Sequence, residues 1–359
     1  MKNSSSSLKS LKSITKTNDH ILTDKFINPV FLKNEINYHY PVMISNIITI
    51  LNNFTNIIEK FLYIDCTLGL GNHFINIYTN FKQYITKNIL LDKDIDSINL
   101  TIDLLKQKKI ISNDYIIINT KKENIKENVK ENNKNKFYFI NDNFKNLINY
   151  KELFNQEDTL VILADLGVSM YQIKNESGFS FNSDTLLDMR YNKSQILTAY
   201  NVLNKYNQEE LSNVFNKILS YKDTKRLIQA IIKYRQKQEI KTTQDLNKII
   251  SKIFSFKYLK DYLQKIYLAL RIEVNNELND LKLFLENLLK INNNFIAFII
   301  SYHSLEGKII KNFLKSNNFK YIKEKPTKEE IKINKPSRSA LLWVFFSIDF
   351  NNLLLNFKN

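Results

Sequence analysis

Short apolar runs rich in β-branched and aromatic residues punctuate the chain at Phe61–Thr67, Asn88–Leu91, Phe137–Ile140, Leu160–Ala164 and, after a long gap, Phe295–Ser301. Each is strand-sized, and the polar intervals between the first four carry helix-compatible spacing, so the pattern predicts a mainly parallel α/β sheet. Phe319–Glu324 and Ala340–Ile348 read as two further strands that finish the sheet as an antiparallel edge. Between about 185 and 290 the period changes from strand to helix. Gln208–Leu219, Lys225–Gln236 and Thr243–Phe254 are amphipathic at helical spacing, the last with Thr242 or Thr243 as its cap. The expected organisation is a sheet domain in two parts, 38–184 and 291–359, around an inserted helical domain at 185–290. Residues 1–37 read as a flexible polar tail, and 119–136 as a charged low-complexity insert.

Length agrees, since 359 residues exceed one domain of roughly 150. The longest apolar runs, around Phe295–Ile300 and Leu341–Phe346, fall far short of the ~18 residues that cross a bilayer. A soluble, cytoplasmic protein is expected. The N-terminal tail has no apolar signal region, and its first acidic residue is Asp19, which keeps an organellar transit segment as the alternative. One cysteine, Cys66, and four histidines exclude a disulfide framework and a Cys/His zinc cluster, so no metal is expected.

Charge changes the picture more. The formal net charge is +16, and half of it lies between Lys205 and Lys265, where 14 Lys/Arg face 6 Asp/Glu. Two readings stay open: a surface for a polyanion, or the solvated face of helices in a Lys-rich chain. Glycine is scarce, five residues where ordinary usage gives about 25. Gly69, Gly71, Gly167 and Gly178 therefore read as places where backbone needs positive φ or approaches a ligand, and Gly307 as chance retention.

The first strand runs into Asp65-Cys66-Thr67-Leu68-Gly69-Leu70-Gly71-Asn72-His73, and the second ends at Asp92, 21 residues after Gly71. A glycine turn at the carboxyl end of strand one, with an acid at the end of strand two, is the layout that binds the ribose of an adenosine cofactor. The third glycine of the dinucleotide fingerprint is missing, which favours a cofactor without a pyrophosphate, such as S-adenosylmethionine. A dinucleotide-dependent oxidoreductase on the same sheet is the weaker alternative.

The fourth strand delivers Ala164-Asp165-Leu166-Gly167-Val168-Ser169 and then Gln172. Ser177-Gly178-Phe179-Ser180-Phe181 and Leu187-Asp188-Met189-Arg190 follow. Further blocks are His39-Tyr40-Pro41-Val42, Leu270-Arg271-Ile272-Glu273-Val274-Asn275-Asn276-Glu277-Leu278, Ile300-Ser301-Tyr302-His303-Ser304-Leu305-Glu306 and Asn334-Lys335-Pro336-Ser337-Arg338-Ser339. In this order the set resembles the bacterial 16S rRNA (cytosine-N4)-methyltransferase family (RsmH or MraW) over residues 39 to 345. Departures are Asn72 for a glycine, Met170 for a serine, Tyr302 for a phenylalanine and Gly307 for an aspartate. The family's tyrosine-glycine-glutamate segment is not recognisable near Ile218–Tyr221, and its His-Pro-Ala-Thr-Arg stretch reads Lys260–Lys265.

The resemblance implies a class I S-adenosylmethionine-dependent methyltransferase: α/β, Rossmann-like, mainly parallel with an antiparallel C-terminal edge, and with an inserted all-helical domain. It implies N4-methylation of a cytosine in the decoding region of small-subunit rRNA, with the 30S particle as partner and oligomeric state open, a dimer included. By position it carries cofactor contacts onto Gly71, Asn72, His73, Asp92, Phe144, Asp165 and Gln172, while Phe144 also reads as an ordinary core ring. Asp165 is the expected catalytic acceptor, or else a nearby backbone carbonyl, because the Asp-Pro-Pro-Tyr pattern of amino-methylating DNA enzymes is absent. His303 and Ser304 are candidates for orienting substrate or moving a proton, with pinning of the adjacent turn the other reading for His303. Phe179 and Phe181 are candidate platforms for an extruded base, and Arg190, Arg271 and Arg338 candidate phosphate contacts. A catalytically weakened RNA-binding or assembly paralogue is the alternative that Asn72, Gly307 and the altered insertion suggest.

Overall fold

The computed structural model describes residues 40–119, 136–155, 157–167, 173 and 177–347. The expected tail at 1–37, His39, most of the 119–136 insert and Gln172 lie outside the described residues. The described residues from Pro41 to Ser347 form one compact unit.

Eight strands build one sheet among the described residues: β1 (Phe61–Asp65), β2 (Ile85–Asp92), β3 (Tyr115–Asn119), β4 (Phe137–Asn141), β5 (Leu160–Asp165), β6 (Phe295–Ser301), β7 (Tyr321–Glu324) and β8 (Leu341–Phe346). Their order is β3-β4-β2-β1-β5-β6-β8-β7. Pairings from β3 to β6 are parallel, and β8 joins β6 and β7 antiparallel, as the sequence pattern predicts. β3 is an addition the sequence reading missed. Its Tyr-Ile-Ile-Ile-Asn run has strand propensity, but the sheet stops there, and its residues are mostly half-exposed rather than buried in the way that marks β1.

Helices cover both faces. On one face α1 (Ile44–Thr55), α2 (Asn72–Phe81) and α3 (Ile95–Gln107) pack through contacts such as Phe74 on Tyr63 and Phe54 on Phe346. The alternate residues of β1, Leu62 and Ile64, face the other side, into a core shared with α9 (Glu277–Leu288), α10 (Ser304–Ser316) and the 3-10 helix Phe144–Leu153. A second apolar core, with Leu211, Phe215, Leu227, Ile231, Ile250 and Leu270, gathers α4 (Ala199–Lys205), α5 (Gln208–Phe215), α6 (Tyr221–Arg235), α7 (Thr243–Ile253) and α8 (Leu259–Asn275). Thr242 is the cap of α7 through a reciprocal box with Asp245, whereas Thr243 is buried and donates its hydroxyl to the Ser183 carbonyl.

Packing divides the 185–290 segment at Asn276. That residue sits in the left-handed region at φ 53° between α8 and α9, and α9 turns its Leu281, Phe284, Leu285 and Leu288 into the sheet's core instead of the helical one. The Leu270–Leu278 block is this joint. Asn275 accepts from the Tyr191 amide and donates to the Met189 and Arg271 carbonyls.

Candidate active site at the carboxyl edge of the sheet

Strand order reverses between β1 and β5, and β1, β2, β5 and β6 deliver Asp65, Asp92, Asp165 and Tyr302 to the same edge. This is where an open parallel sheet leaves a crevice for ligands. After β1 the chain turns through Gly69 (φ 51°) and Gly71 (φ 73°), with Gly71 at the N-cap of α2. A Cβ on Gly71 would stand 2.7 Å from Thr101 Cγ2, and Thr101 is itself fixed by donating to the Gly69 carbonyl at 2.8 Å. Gly71→Ala therefore meets both a left-handed backbone and a wall, and is expected to cost about 1–3 kcal/mol. Urea unfolding and S-adenosylmethionine titration of the variant check this, and unchanged values in both would contradict the cradle.

Asp92 ties the second strand to that turn. Its Oδ2 accepts from the Gly69 amide at 2.7 Å and its Oδ1 from the Asp94 amide at 2.9 Å, leaving one acceptor site free on each oxygen. Burial pushes its carboxyl up to about 6, against the pull of those two amides. Thr67 performs a similar latch, its amide donating to Asp65 and its hydroxyl accepting from the Asp165 amide at 2.7 Å. The β1 and β5 ends are thus locked side by side.

Asp165 stands at the centre. Its Oδ1 accepts from the Tyr302 hydroxyl at 2.7 Å, and its Oδ2 lies 3.7 Å from His73 Nδ1. His73 Nε2 is 3.0 Å from the Val42 carbonyl. A carbonyl only accepts, so that nitrogen carries the hydrogen and a neutral His73 turns the Nδ1 lone pair towards Asp165. Burial raises the Asp165 carboxyl above its ordinary range, opposed by His73 and by the Tyr302 bond. Glu330 closes the pocket from behind: it accepts from the Met43 amide at 2.7 Å and sits within electrostatic reach of His73 and Tyr302. The Tyr40–Val42 block is explained by this, because it feeds Val42 and Met43 to the pocket.

The remaining predicted residues divide. Asn72 opens α2, and Phe144 opens the 3-10 helix, half-buried with its ring edge-on to Phe284 at 5.3 Å. His303 caps α10: its Nδ1 accepts from the Glu306 amide, which leaves the hydrogen on Nε2, 3.3 Å from Glu306 Oε1. The turn-pinning reading fits this geometry. Ser304 is exposed at the start of α10. Phe179 stacks on Tyr191 at 5.4 Å, and Phe181 packs edge-on to Tyr267 at 5.6 Å, both against the helical core.

Two of the candidate arginines have carboxylate partners. Arg190 spends its donors on Asp188 and on the Lys193 and Gln195 carbonyls, so it clamps its own loop. Arg271 is buried and grips Glu277 through two bonds of 2.9 and 3.0 Å. Arg190 makes four such bonds and Arg271 two, so both are held by partners inside the protein. Arg338 is exposed, beside Lys332 and Lys335 on a cleft of about 640 Å³ that Gln264 of α8 closes.

Glu277, His303 and Glu306 bring donor atoms within 4.8 Å of one another, but Arg271 already supplies the positive charge there. Burial pushes Glu306 up to about 7 and His303 down to about 4. With Asp65 and Asp92 both raised to about 6, the folded chain holds protons on three carboxyls more tightly than the unfolded chain. Their contribution to stability is complete below the unfolded carboxyl range and is lost as pH rises through 6 to 7. His303 works the other way: its contribution is present above 6.5 and lost as pH falls through about 4. The thermal midpoint is expected to fall from about pH 5 to about pH 8, and to fall less in Glu306→Gln. Equal slopes in the two proteins would refute the assignment.

A family model described as the MraW methylase family matches residues 36–348. The chain belongs to that family. It is similar to the ribosomal RNA small subunit methyltransferase H of Karelsulcia muelleri (strain GWSS), 35% identical over 85% of this chain and 97% of that protein. The corresponding protein of Hydrogenobaculum sp. (strain Y04AAS1) is 34% identical over 78% of this chain and 88% of its own length. That of Bacteroides thetaiotaomicron is 31% identical over 86% and 97%.

The class I methyltransferase fold that the family carries is the architecture described above. A methylase of this kind implies S-adenosylmethionine, and the residues fit it. The Gly69–Gly71 turn is a cradle that a side chain would fill, and Asp92 keeps two acceptor positions for ribose hydroxyls. Sequence reasoning passed over Thr67, Glu330 and the Tyr302 hydroxyl. Tyr302 had a signal, since it stands where the family carries phenylalanine. Glu330 had none, because its partner lies 287 residues away.

Proposed function

We propose that this methylase transfers a methyl group from S-adenosylmethionine to N4 of a cytosine in the decoding region of 16S rRNA, cytosine 1402 by family resemblance, on the small-subunit particle in the cytoplasm. The observation that carries the reading is Asp165, a half-buried carboxylate aimed by Tyr302 and faced by His73, on the sheet edge it shares with the Gly69–Gly71 cradle and Asp92. Gly71, Asn72, His73, Asp92, Phe144, Asp165 and Gln172 are the proposed cofactor pocket.

The bound cofactor would supply an activated methyl on a sulfonium, whose S–C bond breaks with its electron pair left on sulfur as the methyl is taken up, so the protein's work is positioning and charge. N4 of cytosine is a weak nucleophile because its lone pair is delocalised into the ring. An N4 hydrogen bond to Asp165 draws density onto nitrogen as the N–C bond forms. Oδ1 already accepts from the Tyr302 hydroxyl and Oδ2 has only His73 Nδ1 beside it, so Oδ2 is the freer oxygen for substrate. The proton that N4 sheds passes to Oδ2, with His73 Nδ1 beside it as the next acceptor.

The test incubates the protein with small-subunit particles lacking the modification and deuterated-methyl S-adenosylmethionine, then identifies labelled nucleosides by mass spectrometry. Labelled N4-methylcytidine is expected; label on any other nucleoside, or none despite cofactor binding, would overturn the reading. Affinity for the particles is also expected to weaken steeply with salt, because lysine contacts to phosphate release counterions. A flat response between low and high salt would remove the basic helices from the interface.

A further inference from the structure

The large apolar side chains left exposed among the described residues include three aromatic rings: Tyr221 (75% exposed), Phe256 (91%) and Tyr258 (54%). Two of them, Phe256 and Tyr258, share one turn of the helical region. Tyr221 begins α6, and Phe256 and Tyr258 form the short 3-10 turn Phe256–Tyr258 between α7 and α8, a turn with no buried residue. The two pieces are held together beneath the rings. Arg226 of α6 donates to the Ile253 carbonyl and lies over Phe254 at 5.5 Å, Phe254 stacks on Tyr262 at 3.6 Å, and the Tyr262 hydroxyl donates to Asp223.

The surroundings are basic. Lys222, Lys225, Lys252 and Lys260 are exposed and have no ion pair among the described residues, and Lys257 lies over the Tyr258 ring at 5.3 Å. The two nearby acids are occupied, Asp223 by the Ser220 and Tyr262 hydroxyls and Asp261 by Lys265 at 2.8 Å. A protein partner's apolar interface is depleted of charge at its centre, whereas lysines interleaved with exposed rings suit a strand with bases to stack and phosphates to neutralise. We propose that Phe256 and Tyr258, with Lys222, Lys225, Lys252, Lys257 and Lys260 on the elements around them, form a docking platform for unpaired nucleotides of the RNA substrate. The target base is handled elsewhere, at Asp165. The platform rests on the RNA reading of the active site and extends it to a second contact, one that Phe179 and Phe181 do not supply because they pack into the helical core.

The experiment measures binding of the full chain to unmodified small-subunit particles and to a single-stranded RNA oligonucleotide, at fixed salt, for Phe256→Ala, Tyr258→Ala, the double variant and Phe256→Trp. Each alanine is expected to weaken both RNAs by roughly tenfold, and Phe256→Trp to bind like the parent, because a ring is retained. Melting temperature and S-adenosylmethionine affinity should change little, since Phe256 is 91% exposed and Tyr258 more than half exposed. Lys222→Ala and Lys260→Ala should each lower the slope of log affinity against log salt by about one, a change the aromatic variants do not make. Parental affinity in the double variant overturns the platform. So does loss of binding to particles but not to the oligonucleotide, which points to a ribosomal protein, or a change in self-association alone, which points to a second copy of this chain. A parent that binds RNA through these rings yet forms no N4-methylcytidine would refute the reaction and leave the platform standing.

Discussion

Asp165→Asn is expected to lower single-turnover methyl transfer by roughly 10²–10⁴-fold with cofactor affinity changed only a few-fold. The substitution keeps the shape of the side chain and an oxygen for the Tyr302 hydroxyl, so the β5 edge stays in place. What disappears is the negative charge that draws density onto the substrate nitrogen and the oxygen that receives its proton. Stability should hold or rise, because burial already disfavours the ionised form of this carboxyl. Single-turnover mass spectrometry under saturating deuterated-methyl cofactor reads the rate, and thermal unfolding reads the stability. A rate within threefold of the parent would move the acceptor role to a backbone carbonyl at the same strand end.

Arg271→Met is expected to destabilise the fold by about 3–5 kcal/mol, since it strands a buried carboxylate. Glu277 is held by both Arg271 bonds and by the Tyr191 hydroxyl at 2.9 Å, and these, with Lys93 nearby, keep its carboxyl below the ordinary range although burial alone would raise it. Arg271 also offsets the second buried carboxyl of the cluster, Glu306. The double change Arg271→Met with Glu277→Leu removes both charges and should recover much of the loss. Urea unfolding of the three proteins completes the cycle. A phosphate-binding arginine would behave differently: full stability and weakened RNA affinity in the single variant, with no recovery in the double.

Most of the sheet could be read from the chain because strands buried on both faces must be continuous apolar runs, whatever else surrounds them. The same holds for the helical segment, where amphipathic spacing and Thr242 mark α7, and for the Gly69–Gly71 turn with Asp92, whose spacing follows from a strand, a turn and a helix of ordinary length. Positive φ at Gly69, Gly71, Gly167 and Gly178 also follows local rules, and Gly307, the one glycine read as chance, lies inside α10. β3 escaped because an edge strand needs only one buried face, so its pattern is short and weak.

Side-chain roles were a different matter. Arg190 and Arg271 carry the charge that suits phosphate, and nothing along the chain announces that Asp188, Glu277 and two carbonyls are their partners. Tyr302, His73 and Glu330 come from three distant stretches, and only the folded arrangement of β5, β6, α2 and α11 (Lys328–Ile333) aims the first two at Asp165 and sets Glu330 within electrostatic reach of both. Local backbone preference and hydrophobic period act over a few residues, so the sequence by itself determined the fold, the family and the glycine turn after β1 that is proposed to hold the cofactor. Hydrogen-bond partners and burial are set by residues tens to hundreds of positions apart, so only the tertiary structure decided which charges are spent inside the protein and which remain for the substrate.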